Sequence, residues 1–319
     1  MGVLAGRTGV RVVSTGLALA AVGATIAFAG LASATTSPGP SSATPPANVA
    51  VEHAVSSAAQ STARAFWTSS RMTAATPSAF GSGKVPLSAG TSNATRAASA
   101  PPGIPSATRF NGVPTVGALF YTTGSAKHFC TASVVTSSSK NVIITAAHCV
   151  YNKSYASNVE FVPEYHSGDR PDGAWPVKKI VVATQWAQSK NPNFDFAFLT
   201  VGRASGFNKP LQKVTGGLAL GIYRGYRHSS IEVIGYNDTG NRPVKCATKS
   251  FKFEPDQMEF YCHNYRNGTS GGPWILRYDN GAGTVFGVIG GFEAGGDVEW
   301  ASYSPYFRES TLELLELAE

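Results

Sequence analysis

One stretch of the chain sets a serine between glycines: Asn267-Gly268-Thr269-Ser270-Gly271-Gly272-Pro273. Glycine lets a chain turn sharply enough to lift a hydroxyl clear of the backbone. It also lets backbone N–H groups approach a substrate oxygen with no side chain between them. The same pattern fits an ordinary glycine-rich turn, so its meaning depends on what else the chain carries. A serine hydroxyl is a weak nucleophile without a general base, and the base needs a partner that fixes its tautomer. Thr145-Ala146-Ala147-His148-Cys149 lies upstream, with small residues leaving room around the imidazole. Between the two lies Asn193-Phe194-Asp195-Phe196-Ala197-Phe198-Leu199. A carboxylate in so apolar a run is costly unless it finds a donor. On a strand the three phenylalanines would share one face, and Asp195 the other with Ala197 and Leu199.

The order along the chain is therefore His148, Asp195, Ser270. Gly268-Thr269-Ser270-Gly271-Gly272 also satisfies the G-x-S-x-G elbow of α/β-hydrolases, but that order needs a histidine after the serine, and the last one here is His263. The subtilisin order needs an aspartate before the histidine, and the first in this chain is Asp169. The chymotrypsin order survives. TAAHC, DFAFL and GTSGGP together resemble the chymotrypsin-like serine proteases, and more closely their secreted bacterial branch, which includes the glutamyl endopeptidases. The resemblance covers roughly residues 110 to 305. It implies a two-barrel fold, peptide-bond hydrolysis through a Ser270 acyl-enzyme, and a His148/Asp195/Ser270 triad. It also implies an oxyanion hole from the N–H groups of Gly268 and Ser270, and no cofactor. Asn264, Ile289, Gly290 and Gly291 are expected around the substrate, the two glycines leaving room for its backbone to pair as an added strand.

The chain departs from the digestive-protease pattern in three places. Thr269 stands where trypsin-like zymogens carry the aspartate that pairs with a freed amino terminus. Cys246 and Cys262 both precede Ser270, so the usual disulfide beyond the serine is missing. Ile289 falls where glutamyl endopeptidases carry a histidine, and the wall from Cys262 to Asn267 holds no acid. Neither a glutamate nor a basic preference is therefore implied. Two rival readings keep the same fold: a catalytically silent binding module, and an esterase using the same triad.

Composition narrows the class further. The net charge is +7, but residues 1–109 hold seven basic residues and one acid, against 19 basic and 18 acidic residues in the remainder. The basic balance thus gives the folded part no nucleic-acid face. His128, His166 and His228 have no metal-ligand spacing. Glu293, Asp297 and Glu299 could hold calcium, though a solvated loop is the better reading; no metal is expected. Four cysteines without a C-x-x-C pair read as two disulfides in an exported chain. Three pairings are open. The reading adopted is Cys130–Cys149, which the resemblance supports, and Cys246–Cys262.

Residues 1–34 read as an export signal, with Arg7 and Arg11 before an apolar run and Ala32-Ser33-Ala34 as a cleavage site. A membrane anchor competes for the same run, but the cleavage site and the polar sequence after it favour removal, with no stable membrane association afterwards. Residues 35–109, rich in Ser, Ala, Thr and Pro, are expected to lack order, as a linker or a low-complexity pro-segment. Exported proteases often carry the latter. From 110 to 319 short β-branched and aromatic runs alternate with turns. Six are expected at 116–122, 128–135, 141–145, 159–163, 177–184 and 194–201, and six more at 231–236, 246–253, 258–262, 273–277, 284–290 and 299–304. The expected fold is all-β, with two antiparallel six-stranded barrels over about 110–205 and 206–305. A C-terminal helix over 305–319 follows, capped by Ser304, with Leu312, Leu314 and Leu315 on its apolar face. The chain is expected to be a secreted monomer acting on protein or peptide substrates. N-terminal sequencing of the secreted form is predicted to find its first residue between 95 and 115; finding Thr35 there would contradict a removed pro-segment.

Overall fold

The structure is a computed structural model describing residues 49–78, 100–237 and 241–319. The expected signal over 1–34 and the stretches 35–48 and 79–99 of the expected pro-segment lie outside the described residues. No helix among the described residues is long and apolar enough to cross a membrane.

In chain order the elements begin with strand β1 (Ala50–Ala54), helices α1 (Ser57–Phe66) and α2 (Ser69–Thr73), and the two-residue strands β2 (Thr76–Pro77) and β3 (Thr108–Arg109). Then come β4 (Val116–Thr123), β5 (Ala126–Val135), β6 (Val142–Thr145), the single turn α3 (Ala147–Val150), β7 (Ser157–Pro163), β8 (Trp175–Ala183) and β9 (Ala197–Val201). Strands β4 to β9 pair antiparallel in the order β4-β5-β6-β9-β8-β7, and β7 closes the ring back onto β4. Their Val-, Ile- and Phe-rich runs fill the barrel, with Val134, Ile143, Phe161, Ile180 and Leu199 all buried.

The second half holds β10 (His228–Tyr236), β11 (Pro243–Glu254), β12 (Gln257–Tyr261), β13 (Pro273–Asp279), β14 (Ala282–Val288) and β15 (Ala301–Pro305). They form an antiparallel sheet in the order β14-β13-β10-β11-β12-β15. It curls until its ends meet, where the Val288 N–H donates to Ser304 Oγ at 3.0 Å. Trp274, Phe260 and Met258 fill it. The twelve expected strands all exist, most within three residues of their expected ends.

Helix α4 (Glu309–Ala318) starts later than expected. Ser304 and Pro305 do not cap it, because they finish β15, where Pro305 pairs with Gln257. Arg308 is the N-cap, with a reciprocal bond from its own N–H to Thr311 Oγ1. Leu314, Leu315 and Ala318 pack on the first barrel, while Leu312 is exposed.

The larger correction concerns residues 35–109. Their composition cannot build a core alone, yet 49–78 is ordered against the first barrel. Strand β8 pairs with β7 only at Trp175 and Pro176, which leaves the edge of Lys179–Ala183 open. β1 fills that edge in an antiparallel ladder of five residue pairs. Ser56 and Thr68 cap α1 and α2 by accepting from Ala59 N and Arg71 N. Trp67 between them is 1% exposed and donates its indole N–H to Asn158 O. With Met72 it packs against Phe120, Phe129, Val162, Tyr165 and, from the second sheet, Tyr236. The segment borrows a core that the barrel supplies. Residues 105–109 are ordered too. Ala107 N donates to His263 O, and β3 pairs with Val244–Lys245 of β11. The boundary expected at 110 therefore falls at the end of a paired strand.

The borrowed core encloses one carboxyl group. Glu160 alternates on β7 with Val159 and Phe161, which fill the barrel, so its side chain faces the outer layer that holds Trp67. It is 1% exposed, and Oε2 has no hydrogen-bond partner among the described residues. Burial pushes its pKa up to about 7, against the opposing pull of Arg170 and Arg64. A carboxyl that holds its proton more tightly when folded stabilises the fold fully below its unfolded pKa. That contribution is lost as pH rises through about 7. Denaturant unfolding should therefore show wild type losing about 3 kcal/mol more than Glu160→Gln between pH 4.5 and pH 8.5. Parallel pH profiles for the two proteins would contradict this.

Candidate active site

The three residues picked out in the sequence arrive from three connections. His148 sits on α3, one turn after β6, and the two small residues before it let that turn pack inside the structure. The histidine is 3% exposed. Asp195 is not on a strand, as the alternating phenylalanines suggest. Asn191 and Pro192 start a 3-10 turn over Pro192–Phe194, Asp195 ends it, and β9 begins only at Ala197. Asp195 is fully buried. Its Oδ2 lies 2.7 Å from His148 Nδ1 and accepts from Gly291 N at 2.9 Å, while Oδ1 accepts from His148 N at 2.9 Å. A carboxylate can only accept, so Nδ1 carries the ring proton and Nε2 is left as the basic nitrogen.

Ser270 is held by its backbone against the strand that precedes this pair. Its carbonyl accepts from Thr131 N at 2.8 Å, and the Thr131 hydroxyl donates to Gly268 O at 3.0 Å. The same hydroxyl accepts from Tyr236 N at 2.8 Å. Gly271 lies flush against the segment leading to His148. A Cβ there would stand 2.2 Å from both Thr131 O and Thr145 Oγ1, and its φ of +80° independently favours glycine. Gly271 N donates to Ile289 O, and Ile289 N donates to Gly272 O. This ties the serine loop to the strand end that carries Gly290 and Gly291. Gly290 in turn packs on Asp195, whose carbonyl would lie 2.7 Å from an added Cβ. Ser270 is thus laced to the surroundings of both other residues. Thr131 does much of this bracing and was not singled out in the sequence; its place directly after Cys130 is the one available signal.

The N–H groups of Gly268 and Ser270 have no acceptor among the described residues. Thr269 turns its hydroxyl onto Arg266 O at 2.8 Å and packs against Gly235. The cysteines pair as Cys130–Cys149 and Cys246–Cys262. The first bond ties β5 to the turn that bears His148. Cys130, His148 and Cys149 form the one cluster of metal-ligating types among the described residues, and both sulfurs in it are spent in that bond.

A cavity of about 290 Å³ opens beside Ser270. Ile289 lines it, together with Tyr265, Arg266, Asp297, Glu299 and Ser302. Asn264 does not line it: it is exposed, with φ +70°, and donates its N–H to Glu299 Oε2. Gly290 and Gly291 donate their N–H groups inward, to Tyr303 O and Asp195 Oδ2. These amides are spent within the structure and brace Asp195. Burial pushes the Glu299 carboxyl up, but the Asn264 N–H and His263, 2.8 Å away, outweigh it and hold the group below its ordinary pKa.

A sequence model of the trypsin family matches residues 105–303. The chain belongs to the trypsin family. The match begins just before Ala107 and β3, which join the second sheet. A search of curated proteins by sequence found no match. Among solved structures, the protease Anisep from Arthrobacter nicotinovorans is similar at 26% identity with a TM-score of 0.59, over 66% of this chain and 98% of that one. A thermostable serine protease, AL20, from an extremophilic microorganism aligns at 23% identity and 0.57, over 64% and 96%. A Glu endopeptidase structure aligns at 17% and 0.53, over 68% and 97%. The last two show likeness of fold.

If Thr131 braces the serine loop, Thr131→Val leaves Gly268 O and Tyr236 N without partners at nearly constant volume. Unfolding free energy should then fall by about 2 kcal/mol. Unchanged stability would show that these bonds contribute nothing.

Proposed function

We propose that the chain is an exported serine endopeptidase that cleaves peptide bonds through an acyl-enzyme on Ser270. The observation that carries the reading is the buried His148–Asp195 contact of 2.7 Å, beside a serine loop braced from both halves of the fold. His148 Nε2 takes the Ser270 proton as the hydroxyl attacks the carbonyl carbon. The protonated ring then gives that proton to the leaving amine, and Asp195 stabilises the imidazolium between the two steps. Gly268 and Ser270 N–H groups, without acceptors of their own, receive the negative oxygen of the tetrahedral intermediate. Water then enters by the same route and releases the acyl group. The chemistry needs no cofactor or metal.

The substrate is an extended peptide whose side chain before the scissile bond enters the cavity beside Ile289. The two disulfides suit an oxidising compartment, in keeping with a signal over 1–34 and action outside the cell. The working unit is then the two-barrel part, separated from residues before it by processing near 95–115. Thr269 carries no carboxylate, so activation does not run through an ion pair between residue 269 and a new amino terminus.

Ser270→Ala, His148→Ala and Asp195→Asn should each lower peptide turnover by about 10⁴ or more, with circular dichroism unchanged. Fluorophosphonate labelling should map to Ser270 and vanish in Ser270→Ala. Full activity in Ser270→Ala would overturn the assignment. Labelling of wild type without cleavage of any member of a peptide library, but with turnover of simple esters, would replace peptidase by esterase.

A further inference from the structure

The N-terminal segment does more than cover the barrel. In β5 the ladder to β6 begins only at Ser133, so the earlier part of the strand, paired with β4 on one side, has its other edge toward the serine loop. At Thr131 that edge is taken by Ser270 itself, through Thr131 N donating to Ser270 O. Just before, at His128 and Phe129, it is taken by β2, with Thr76 opposite His128 and Pro77 opposite Phe129. Ser78 N donates to Phe129 O at 3.0 Å, the Ser78 side chain bonds to the Tyr121 side chain, and the Thr76 hydroxyl donates to Lys127 O. The Phe129 ring lies against Gly268, and Pro77 lines the same cavity as Ser270. An extended piece of this chain therefore adds itself as a strand to the rim of the site, two residues from the backbone bond that holds the nucleophile.

Extended peptides are commonly received by this kind of strand addition. We propose that residues 49–78 are a tethered inhibitor of the site, whose Thr76–Ser78 strand occupies part of the path an extended substrate must take. The proposal rests on the peptidase reading above. The hold comes from elsewhere: the β1 ladder on β8, and Trp67 and Met72 seated on the outer face of the barrel. Because the segment belongs to the same chain, its occupancy does not depend on protein concentration. Weakening either the Thr76–Ser78 pairing or that anchorage shifts the balance toward the open site, so the segment and the site form a two-state device.

The test uses the full chain, checked by mass spectrometry to be uncut, as wild type, Ser78→Pro and Trp67→Ala. Ser78→Pro removes the N–H that binds Phe129 O and leaves the Trp67 anchor in place; Trp67→Ala does the reverse. Two readouts are compared: fluorophosphonate labelling of Ser270, a small reagent that reports the machinery, and kcat/KM for a peptide extending on both sides of the scissile bond. Labelling at similar rates in all three is expected, with peptide kcat/KM raised at least about fivefold in Ser78→Pro, the worth of one hydrogen bond, and further in Trp67→Ala. Equal peptide kcat/KM in all three, with labelling intact, would overturn the inhibitor while sparing the peptidase reading. Labelling in none of them would overturn both.

Discussion

A fully buried carboxylate must be surrounded by donors, and the arrangement of this site follows from how Asp195 meets that demand. Leaving such a group unpaired costs several kcal/mol. Here the donors come from both halves of the molecule. His148 supplies its ring Nδ1–H and its backbone N–H from the first barrel, and Gly291 supplies a backbone N–H from the second sheet. One charged group thus fixes the imidazole orientation and pins the two halves together at the point where the serine loop passes. The chemistry proposed for the site and the joint between the halves are one constraint.

The close approach of three backbones makes this possible. Gly271 and Gly290 stand where any side chain would strike Thr131, Thr145 or Asp195. Thr131 bridges the serine loop to Tyr236 with a single hydroxyl that both donates and accepts. The Cys130–Cys149 bond holds the histidine turn against the strand that also carries Thr131. The result is a rigid setting for groups whose useful geometry tolerates little error.

Much of this could be read from the chain. The order His148, Asp195, Ser270 left one arrangement standing, and strands such as 116–122 and 273–277 announced themselves by β-branched and aromatic content. Trypsin-family membership and the all-β class follow the same motifs. What failed did so for local reasons. Alternating phenylalanines around Asp195 look like a strand, but Asn191-Pro192 starts a turn whose last residue is the aspartate. Ser304-Pro305 resembles a helix start, but the pairing of Pro305 with Gln257 takes precedence over capping. The longest miss, residues 49–78, has few bulky apolar residues, and a reading that asks each segment to build its own core must call it unordered. Trp67, Met72 and the capping pair Ser56 and Thr68 were visible; the open edge of β8 that receives the strand was not, because edges exist only in three dimensions.

The central claim is that the Asp195 carboxylate dictates the protonation of His148. Nitrogen-15 NMR of the protein labelled at histidine, near neutral pH, tests this most directly. The account predicts that neutral His148 is observed with its proton on Nδ1 and a bare Nε2. A neutral His148 carrying its proton on Nε2 would contradict it, since neither the contact with Asp195 nor the base proposed for Ser270 could then exist.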